Sequence, residues 1–156
     1  MAQDPDQQQI EAVFRFIMFL NDTLGRTTRE FEHETSCSPE EANVVRVLVE
    51  GGGSLMVKEI AQAMPGMNLS KLTRLLDGLE KHGYILRTLN REDRRSFLIT
   101  PTEQGLQLLD NFMQDLGGLA KRMLLALTPA ERMMIVELCR KMQANWNGVD
   151  IQSPLL

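Results

Sequence analysis

The chain has 156 residues, of which 43% are hydrophobic and 24% charged, with a formal net charge of −4. A chain of this size can bury the core of one globular domain without a metal or disulfide framework, and uninterrupted apolar runs such as Phe16–Leu20 are far shorter than the ~20 residues of a membrane-spanning helix. The first fifteen residues lack the basic start of a secretory signal, so we expect a cytoplasmic protein with two unpaired thiols and no membrane partner.

The charges are distributed unevenly along the chain. Residues 1–50 carry four basic and ten acidic side chains, residues 51–100 eight and five, and residues 101–156 five and six, which gives net charges of −6, +3 and −1. The local field, more than the total, decides what docks on a surface. The positive middle of the chain is therefore compatible with a nucleic-acid partner, and equally with chance clustering on a solvated surface.

The N-terminal segment is predicted to be a long helix with two apolar surfaces. Its apolar residues recur in alternating steps of three and four, and a second set lies beside the first, which is more apolar surface than one small core requires. The first stripe comprises Ile10, Val13, Ile17, Leu20, Leu24, Thr27 and Phe31, and the second set comprises Ala12, Phe16 and Phe19.

The end of this helix holds weak candidates for a sensor site. Glu30, His33, Glu34 and Cys37 fall at i, i+3, i+4 and i+7, which would place four potential metal ligands on one helix face if the helix extends that far. The alternative is a solvated acidic helix end. Cys37 also precedes a helix start, where the helix N-terminus would favour a thiolate of lowered pKa, although an unreactive thiol is the alternative there as well.

Three helix starts are marked by the pattern Ser/Thr-Pro-x-Glu, beginning at Ser38, Thr100 and Thr128. In each, the hydroxyl can accept the N3 amide, proline occupies N1, and the N3 glutamate can reach back to the cap. These patterns predict helices that begin at about residues 39, 101 and 129.

The middle of the chain predicts a helix, a short helix, a turn, a third helix and a hairpin. Gly51–Gly53 ends the first helix, and Pro65-Gly66 ends a short helical stretch. Asn68 is a plausible cap for a helix over 68–82 that ends at Gly83. The apolar face of that helix is predicted to consist of Leu69, Leu72, Leu75, Leu76 and Leu79, and strands are predicted at 84–90 and 96–100.

The opposite face of the 68–82 helix carries Ser70, Lys71, Thr73, Arg74 and Asp77. Hydroxyls and cations on an exposed first turn are what reading the major groove of DNA requires, because arginine and lysine can bond guanine edges and the helix N-terminus favours phosphate. An ordinary solvated face of an amphipathic helix is the alternative.

The tip of the hairpin concentrates positive charge. Arg91, Arg94 and Arg95 lie within five residues. Their positive charges repel one another unless DNA phosphates or a minor groove neutralise them. Asp93 would orient Arg95 instead of contacting DNA. A solvated turn is the alternative.

Together these residues resemble the winged helix-turn-helix core of the MarR family of bacterial transcription regulators. The resemblance rests on the run Ser70–Ile85, on Arg87, on Asp93-Arg94-Arg95, and on Leu98–Pro101 with Gly105. It is dense from about Gly52 to Gly105 and looser, by helix order, out to Trp146. It implies a homodimeric regulator whose recognition helix is 68–82, whose wing includes Asp93 and Arg95, and whose DNA binding is often relieved by small molecules or oxidants. Gly78 departs from the long polar residue usual in the family at that position.

The resemblance also bears on the sensor hypotheses. Redox-sensing members place the reactive cysteine beside tyrosines in the first helix, whereas the only tyrosine here is Tyr84, in the DNA-binding region. Zinc-responsive members gather further histidines, whereas the only other histidine here is His82, near the wing. No cofactor is expected.

The C-terminal part is predicted to form two helices that join the first in dimerisation. A monomer in which these helices form an internal layer is the alternative. Gly117-Gly118 interrupts the stripe of the first of them and should weaken or bend it. Adaptable methionines of these helices would line a pocket for a small aromatic or phenolic ligand, and ordinary core methionines are the alternative. The stripe comprises Leu106, Leu109, Met113, Leu116, Ala120, Met123 and Leu127, the last helix adds Met134, Ile135, Leu138, Cys139, Met142 and Trp146, and the methionines are Met113, Met123, Met133, Met134 and Met142.

The sequence thus predicts a mainly α fold with a small β-hairpin wing. Residues 37–100 form the winged helix-turn-helix region, and residues 1–36 and 101–156 form a helical dimerisation region within one compact domain. We expect a sequence-specific, repressor-like DNA-binding regulator that acts as a homodimer on a pseudo-palindromic operator in double-stranded DNA. No enzyme motif is present. The alternatives are a winged-helix module that binds only protein and a redox- or zinc-responsive form of the regulator.

Overall fold

A computed structural model of the chain describes residues 5–91 and 96–146. Within these residues, helices dominate and three short strands form one sheet. The helices are α1 (Pro5–Thr35), α2 (Pro39–Glu50), α3 (Val57–Ala63), α4 (Leu69–Lys81), α5 (Glu103–Leu125) and α6 (Pro129–Trp146), and the strands are β1 (Leu55–Met56), β2 (Ile85–Leu89) and β3 (Phe97–Pro101). The chain divides into two compact units, Met1–Leu116 and Gly117–Leu156. The predicted fold class, mainly α with a small hairpin wing, is confirmed.

The predicted helix caps are present at α2 and α4. The Ser38 hydroxyl accepts the backbone amide of Glu41 at 3.2 Å, and the Glu41 carboxylate accepts the Ser38 amide at 2.8 Å, which completes a capping box. Asn68 Oδ1 accepts the amide of Lys71 at 2.8 Å. Both helices therefore start where the sequence predicts.

The start of α5 differs from its prediction by two residues. Pro101 belongs to β3, and Thr102, not Thr100, supplies the cap: its hydroxyl accepts the Gly105 amide at 3.1 Å. Since Pro101 is the last residue of the strand, the proline there ends the sheet and does not begin the helix. Once begun, α5 continues through Gly117-Gly118 to Leu125.

The sheet has the order β1-β3-β2, with antiparallel pairing throughout. The hairpin pairs Ile85 with Pro101 and Leu89 with Phe97, and β1 pairs Leu55 with Ile99. Strand β1 escaped prediction because two residues are too few to show a periodic pattern.

The core of the first unit lies between α2, α3, α4 and the sheet. Leu72, Leu76 and Leu79 of α4 are buried as predicted, whereas Leu69, predicted for the same face, is 61% exposed. Leu69 is the first residue of the helix, and there its side chain extends beyond the core. The core also includes Phe31, Ala42, Val44, Val45, Val47, Leu48, Ile60, Met64, Ile85, Ile99 and Leu108.

The second unit contains the end of α5 and α6. Thr128 and Glu131 form the predicted cap of α6, with the Glu131 carboxylate accepting the Thr128 amide at 2.7 Å. Arg132 Nε donates to the carbonyl oxygens of Leu124 and Leu127, at 2.8 and 3.0 Å, and so satisfies the C-terminal end of α5. None of the helices in the described ranges has an apolar stretch of the length and hydropathy needed to cross a membrane.

Candidate nucleic-acid interface

Helix α4 has one buried face and one exposed polar face. Leu72, Leu76 and Leu79 enter the core. The opposite face, with Ser70, Lys71, Thr73 and Arg74, is exposed, as the sequence predicts. The turn between α3 and α4 is closed by the Met67 amide, which donates to the Met64 carbonyl at 3.2 Å. Helices α3 and α4 therefore form a helix-turn-helix that presents the first two turns of α4 to solvent.

The side chains on this face differ in whether they already have a hydrogen-bond or ion-pair partner. Thr73 donates its hydroxyl to the Leu69 carbonyl at 2.9 Å, and Lys71 Nζ lies 2.5 Å from Glu40 Oε1 of α2. Lys71 and Glu40 are each about half exposed. Ser70 and Arg74 have no side-chain partner within residues 5–91 and 96–146, so both can reach a ligand without first breaking an interaction.

The hairpin is attached to α4 by Arg87, an interaction that the sequence analysis did not assign. Arg87 Nη2 of β2 lies 2.5 Å from Asp77 Oδ1, and Nε lies 3.2 Å from Glu80 Oε2, both on α4. No local sequence pattern signals this interaction, because Arg87 follows Asp77 and Glu80 by ten and seven positions and lies in a different element. It also neutralises two acidic groups on the helix that carries Arg74.

The tip of the hairpin is only partly described. Asn90 donates its amide to the Ser96 carbonyl at 3.0 Å, and Arg91 is exposed. Asp93, Arg94 and Arg95 lie outside the described residues, so the orienting role of Asp93 and the groove contacts of the arginines stay predictions.

The strands of the hairpin are less polar than the charged tip suggests. Leu86, Leu89 and Phe97 are 57%, 61% and 46% exposed, and Leu89 pairs with Phe97 across the two strands. The hairpin thus presents apolar surface as well as charge. This observation favours the protein-interaction alternative more than the sequence analysis did.

A close-packed joint connects α4, β2 and α5. Gly83 adopts a φ of 74° after the C-cap of α4, and its carbonyl accepts the Thr102 hydroxyl at 2.6 Å. The Tyr84 carbonyl accepts the Thr102 amide at 3.0 Å, and a Cβ on Gly105 would lie 2.1 Å from that carbonyl oxygen. Only glycine fits at residue 105 because a backbone atom occupies the space.

The sensor hypotheses built on Cys37 need two corrections. Helix α1 ends at Thr35, so Cys37 does not continue the face of Glu30, His33 and Glu34, which are exposed on the helix. Burial, followed by the negative charge of Glu41, raises the pKa of the Cys37 thiol from 9.0 to about 11, while a hydrogen bond with Tyr84 acts in the opposite direction. The hypothesis of a lowered pKa is therefore wrong: the helix N-terminus is outweighed by loss of solvent.

The neighbours of Cys37 were also missed by the sequence analysis. Tyr84 is hydrogen-bonded to the thiol, although the two residues are far apart in the sequence, and His82 lies close by. Tertiary packing of the α1–α2 turn against the end of α4 creates this neighbourhood, and no local pattern reports it.

Comparison with known proteins gives a family match over part of the chain and a fold. The MarR family model matches residues 40–97. An uncharacterized HTH-type transcriptional regulator of Bacillus subtilis (strain 168), YfiV, is 37% identical over 93 residues, which cover 60% of this chain and 58% of YfiV. The match thus spans less than two thirds of that relative.

Solved structures resemble the chain over most of its length. The YusO protein of Bacillus subtilis has a TM-score of 0.78 at 24% identity and covers 91% of this chain and 99% of its own. A MepR–DNA complex of Staphylococcus aureus has a TM-score of 0.65 at 20% identity, with coverages of 87% and 98%. At these identities the likeness establishes the winged-helix fold.

Proposed function

Because the chain carries a MarR-family domain at residues 40–97, we propose that it is a sequence-specific DNA-binding transcriptional regulator. The observation that carries the proposal is the exposed polar face of α4, on which Ser70 and Arg74 have no partner within the described residues. In this proposal Ser70, Lys71, Thr73 and Arg74 enter the major groove, and Asn68 at the helix N-terminus lies next to a phosphate. Arg91, Arg94 and Arg95 contact the backbone or the minor groove, with Asp93 orienting Arg95.

The regulator acts as a homodimer. Helix α1 leaves Ile10, Val13, Phe14 and Ile17 between 48% and 60% exposed, and so much apolar surface is unfavourable for a lone subunit in water. In α6, Met133, Met134, Leu138 and Met142 are between 50% and 72% exposed. We assign residues 1–36 and 101–156 to dimerisation and residues 37–100 to DNA binding. Two-fold symmetry would then present two α4 helices to a pseudo-palindromic operator, about 34 Å apart.

Repression relieved by a small aromatic or phenolic ligand completes the proposal. A ligand that binds better to one separation of the two α4 helices shifts the dimer away from, or toward, the DNA-binding form. The methionines of α5 and α6 support a ligand site of this kind because Met113, Met133, Met134 and Met142 are all exposed and adaptable.

Fluorescence anisotropy with duplex DNA from upstream of its own gene tests the proposal. Binding should weaken linearly on a log–log plot against salt, and Arg95→Ala should reduce that slope by about 0.9 for each phosphate that is no longer neutralised. Sedimentation of the same sample should give a dimer. A single subunit, or no DNA binding at low salt, would overturn the proposal, and adding phenolic acids to the same titration tests relief by ligand.

A protein-interaction module is the second candidate function, favoured by the exposed Leu86, Leu89 and Phe97 of the hairpin. Replacing Leu89 and Phe97 together with threonine separates the two functions. A DNA-binding regulator keeps its salt-dependent affinity for the duplex in this variant, because threonine preserves the strands and every cation remains. Loss of partner binding with no DNA affinity in either protein would favour the interaction module.

A further inference from the structure

One thiol, one carboxylate and one imidazole meet where the α1–α2 turn packs near the end of α4. The Cys37 sulfur, a carboxylate oxygen of Glu41 and a ring nitrogen of His82 all lie within 4.8 Å of one another. Cys37 is in the turn, Glu41 in the first turn of α2, and His82 is the C-cap of α4. Three different metal-ligand types are thus brought together from two distant parts of the chain, the start of α2 and the end of α4.

The Glu41 carboxylate is held in place with one oxygen available. Its Oε2 accepts the Ser38 amide at 2.8 Å and the Ser38 hydroxyl at 3.0 Å. Its Oε1 points toward Gly78 of α4, where a Cβ would lie only 2.6 Å away, and accepts no hydrogen bond within the described residues. A glycine in place of the family's usual long side chain therefore opens the space that this oxygen occupies.

These ligand types select the ion. A cysteine sulfur with nitrogen and oxygen donors suits zinc, whereas magnesium and calcium prefer oxygen alone. Zinc bonds of about 2.0 to 2.3 Å place tetrahedral ligand atoms roughly 3.5 Å apart. His82 is exposed, and the centroid of its ring lies 6.0 Å from that of Tyr84. A small rotation of this exposed side chain would bring three atoms that lie within 4.8 Å to that spacing.

We propose that Cys37 Sγ, a carboxylate oxygen of Glu41 and a ring nitrogen of His82 bind one zinc ion, with water as the fourth ligand. The Cys37 thiol, which is protonated at neutral pH, gives its proton to solvent as the zinc–sulfur bond forms. Tyr84, already hydrogen-bonded to Cys37, then orients the sulfur from outside the metal's ligand shell. The site does not depend on the proposed function, because it requires no DNA and no dimer.

Titration of the metal-free full-length protein with Co²⁺ tests the site. We expect one Co²⁺ per chain, with a thiolate-to-cobalt charge-transfer band that Zn²⁺ abolishes. Cys37→Ser and His82→Gln should each remove the band. Cys139→Ser and His33→Gln are matched controls, since they replace the other cysteine and the other histidine, both exposed, and should leave the band unchanged.

Two further readouts guard against a folding artefact in the buried Cys37 variant. His82 is exposed, so His82→Gln should keep the wild-type circular dichroism and melting temperature without metal. Zinc should raise the melting temperature of the wild type and not that of this variant, and one proton should be released per zinc bound. The proposal is overturned if the cobalt band is absent, survives His82→Gln, or disappears in either control variant.

Discussion

Arg87 of β2 lies between Asp77 and Glu80 of α4, with its Nη2 at 2.5 Å from Asp77 Oδ1. The Arg87 side chain is only 24% exposed, so this ion pair is more shielded from water than most surface pairs. It fixes the hairpin to the helix proposed to read DNA.

Replacing Arg87 with methionine should lower the free energy of unfolding by about 1 kcal/mol, because two helical carboxylates lose their cation. Urea unfolding of Arg87→Met, Asp77→Asn and the double variant measures the coupling between the two side chains. If the two single changes lower the free energy of unfolding additively in the double variant, the ion pair does not contribute to stability.

Gly105→Ala should destabilise the protein by on the order of 3 kcal/mol, because its Cβ would meet the Tyr84 carbonyl oxygen, a backbone atom with no room to move. Gly117→Ala is the matched control: nothing lies within 4 Å of a Cβ there, and alanine should gain up to about 1 kcal/mol of helix propensity. Thermal unfolding of both variants checks the contrast, and equal effects would refute it.

Because the pKa of the Cys37 thiol is raised in the folded protein, the free energy of unfolding should fall at high pH. Its pKa is 9.0 when unfolded and about 11 when folded, so its contribution is complete below pH 9.0 and is lost as the pH rises through about 11. Urea unfolding with a metal chelator, repeated between these values, should show a decline on the order of 2 kcal/mol in the wild type. A decline of the same size in Cys37→Ser would exclude the thiol as its source.

Glu40→Gln should raise affinity for every duplex by about two- to fivefold, because Lys71 would no longer have to leave a carboxylate in order to meet a phosphate. Glu50→Gln is the matched control: Glu50 is ion-paired with Arg46 at the opposite end of the same helix. Anisotropy titrations of the wild type, Glu40→Gln and Glu50→Gln measure their affinities for the same duplex. An equal gain in both variants would assign the effect to net charge alone.

Arg74→Ala should relax base preference at one step of the operator by ~1 to 3 kcal/mol, if its unpaired guanidinium reads a base edge. Competition among duplexes with single base changes measures this preference, and Arg140→Ala, an equal change in charge on α6, should leave it unaltered. Uniform weakening on all duplexes would instead make Arg74 a phosphate contact.

Local patterns predicted the parts of the fold that local physics determines. The capping boxes at Ser38 and Thr128 and the cap at Asn68 are read from neighbouring residues, so those helix starts were correct. At Thr100 the same pattern was wrong by two residues, because pairing with β2 extends β3 to Pro101. The exposed face of α4 followed equally well from its helical period.

Interactions between distant segments were not predictable in this way. Neither the Arg87–Asp77 ion pair nor the meeting of Cys37 with His82 has a signal in residue spacing, since each depends on how α4 packs against its neighbours. Gly78 illustrates the limit: the sequence indicated only a missing polar side chain, whereas the structure shows that this glycine leaves room for Glu41.

The joint at Tyr84 has a mechanical consequence. Since backbone touches backbone between Gly105 and Tyr84, no rotatable side chain is available to absorb a displacement of α5. We therefore expect a displacement of the first turn of α5 to be transmitted to the end of α4. In the proposed regulator, this coupling would carry a change at the start of α5 to the exposed polar face of α4.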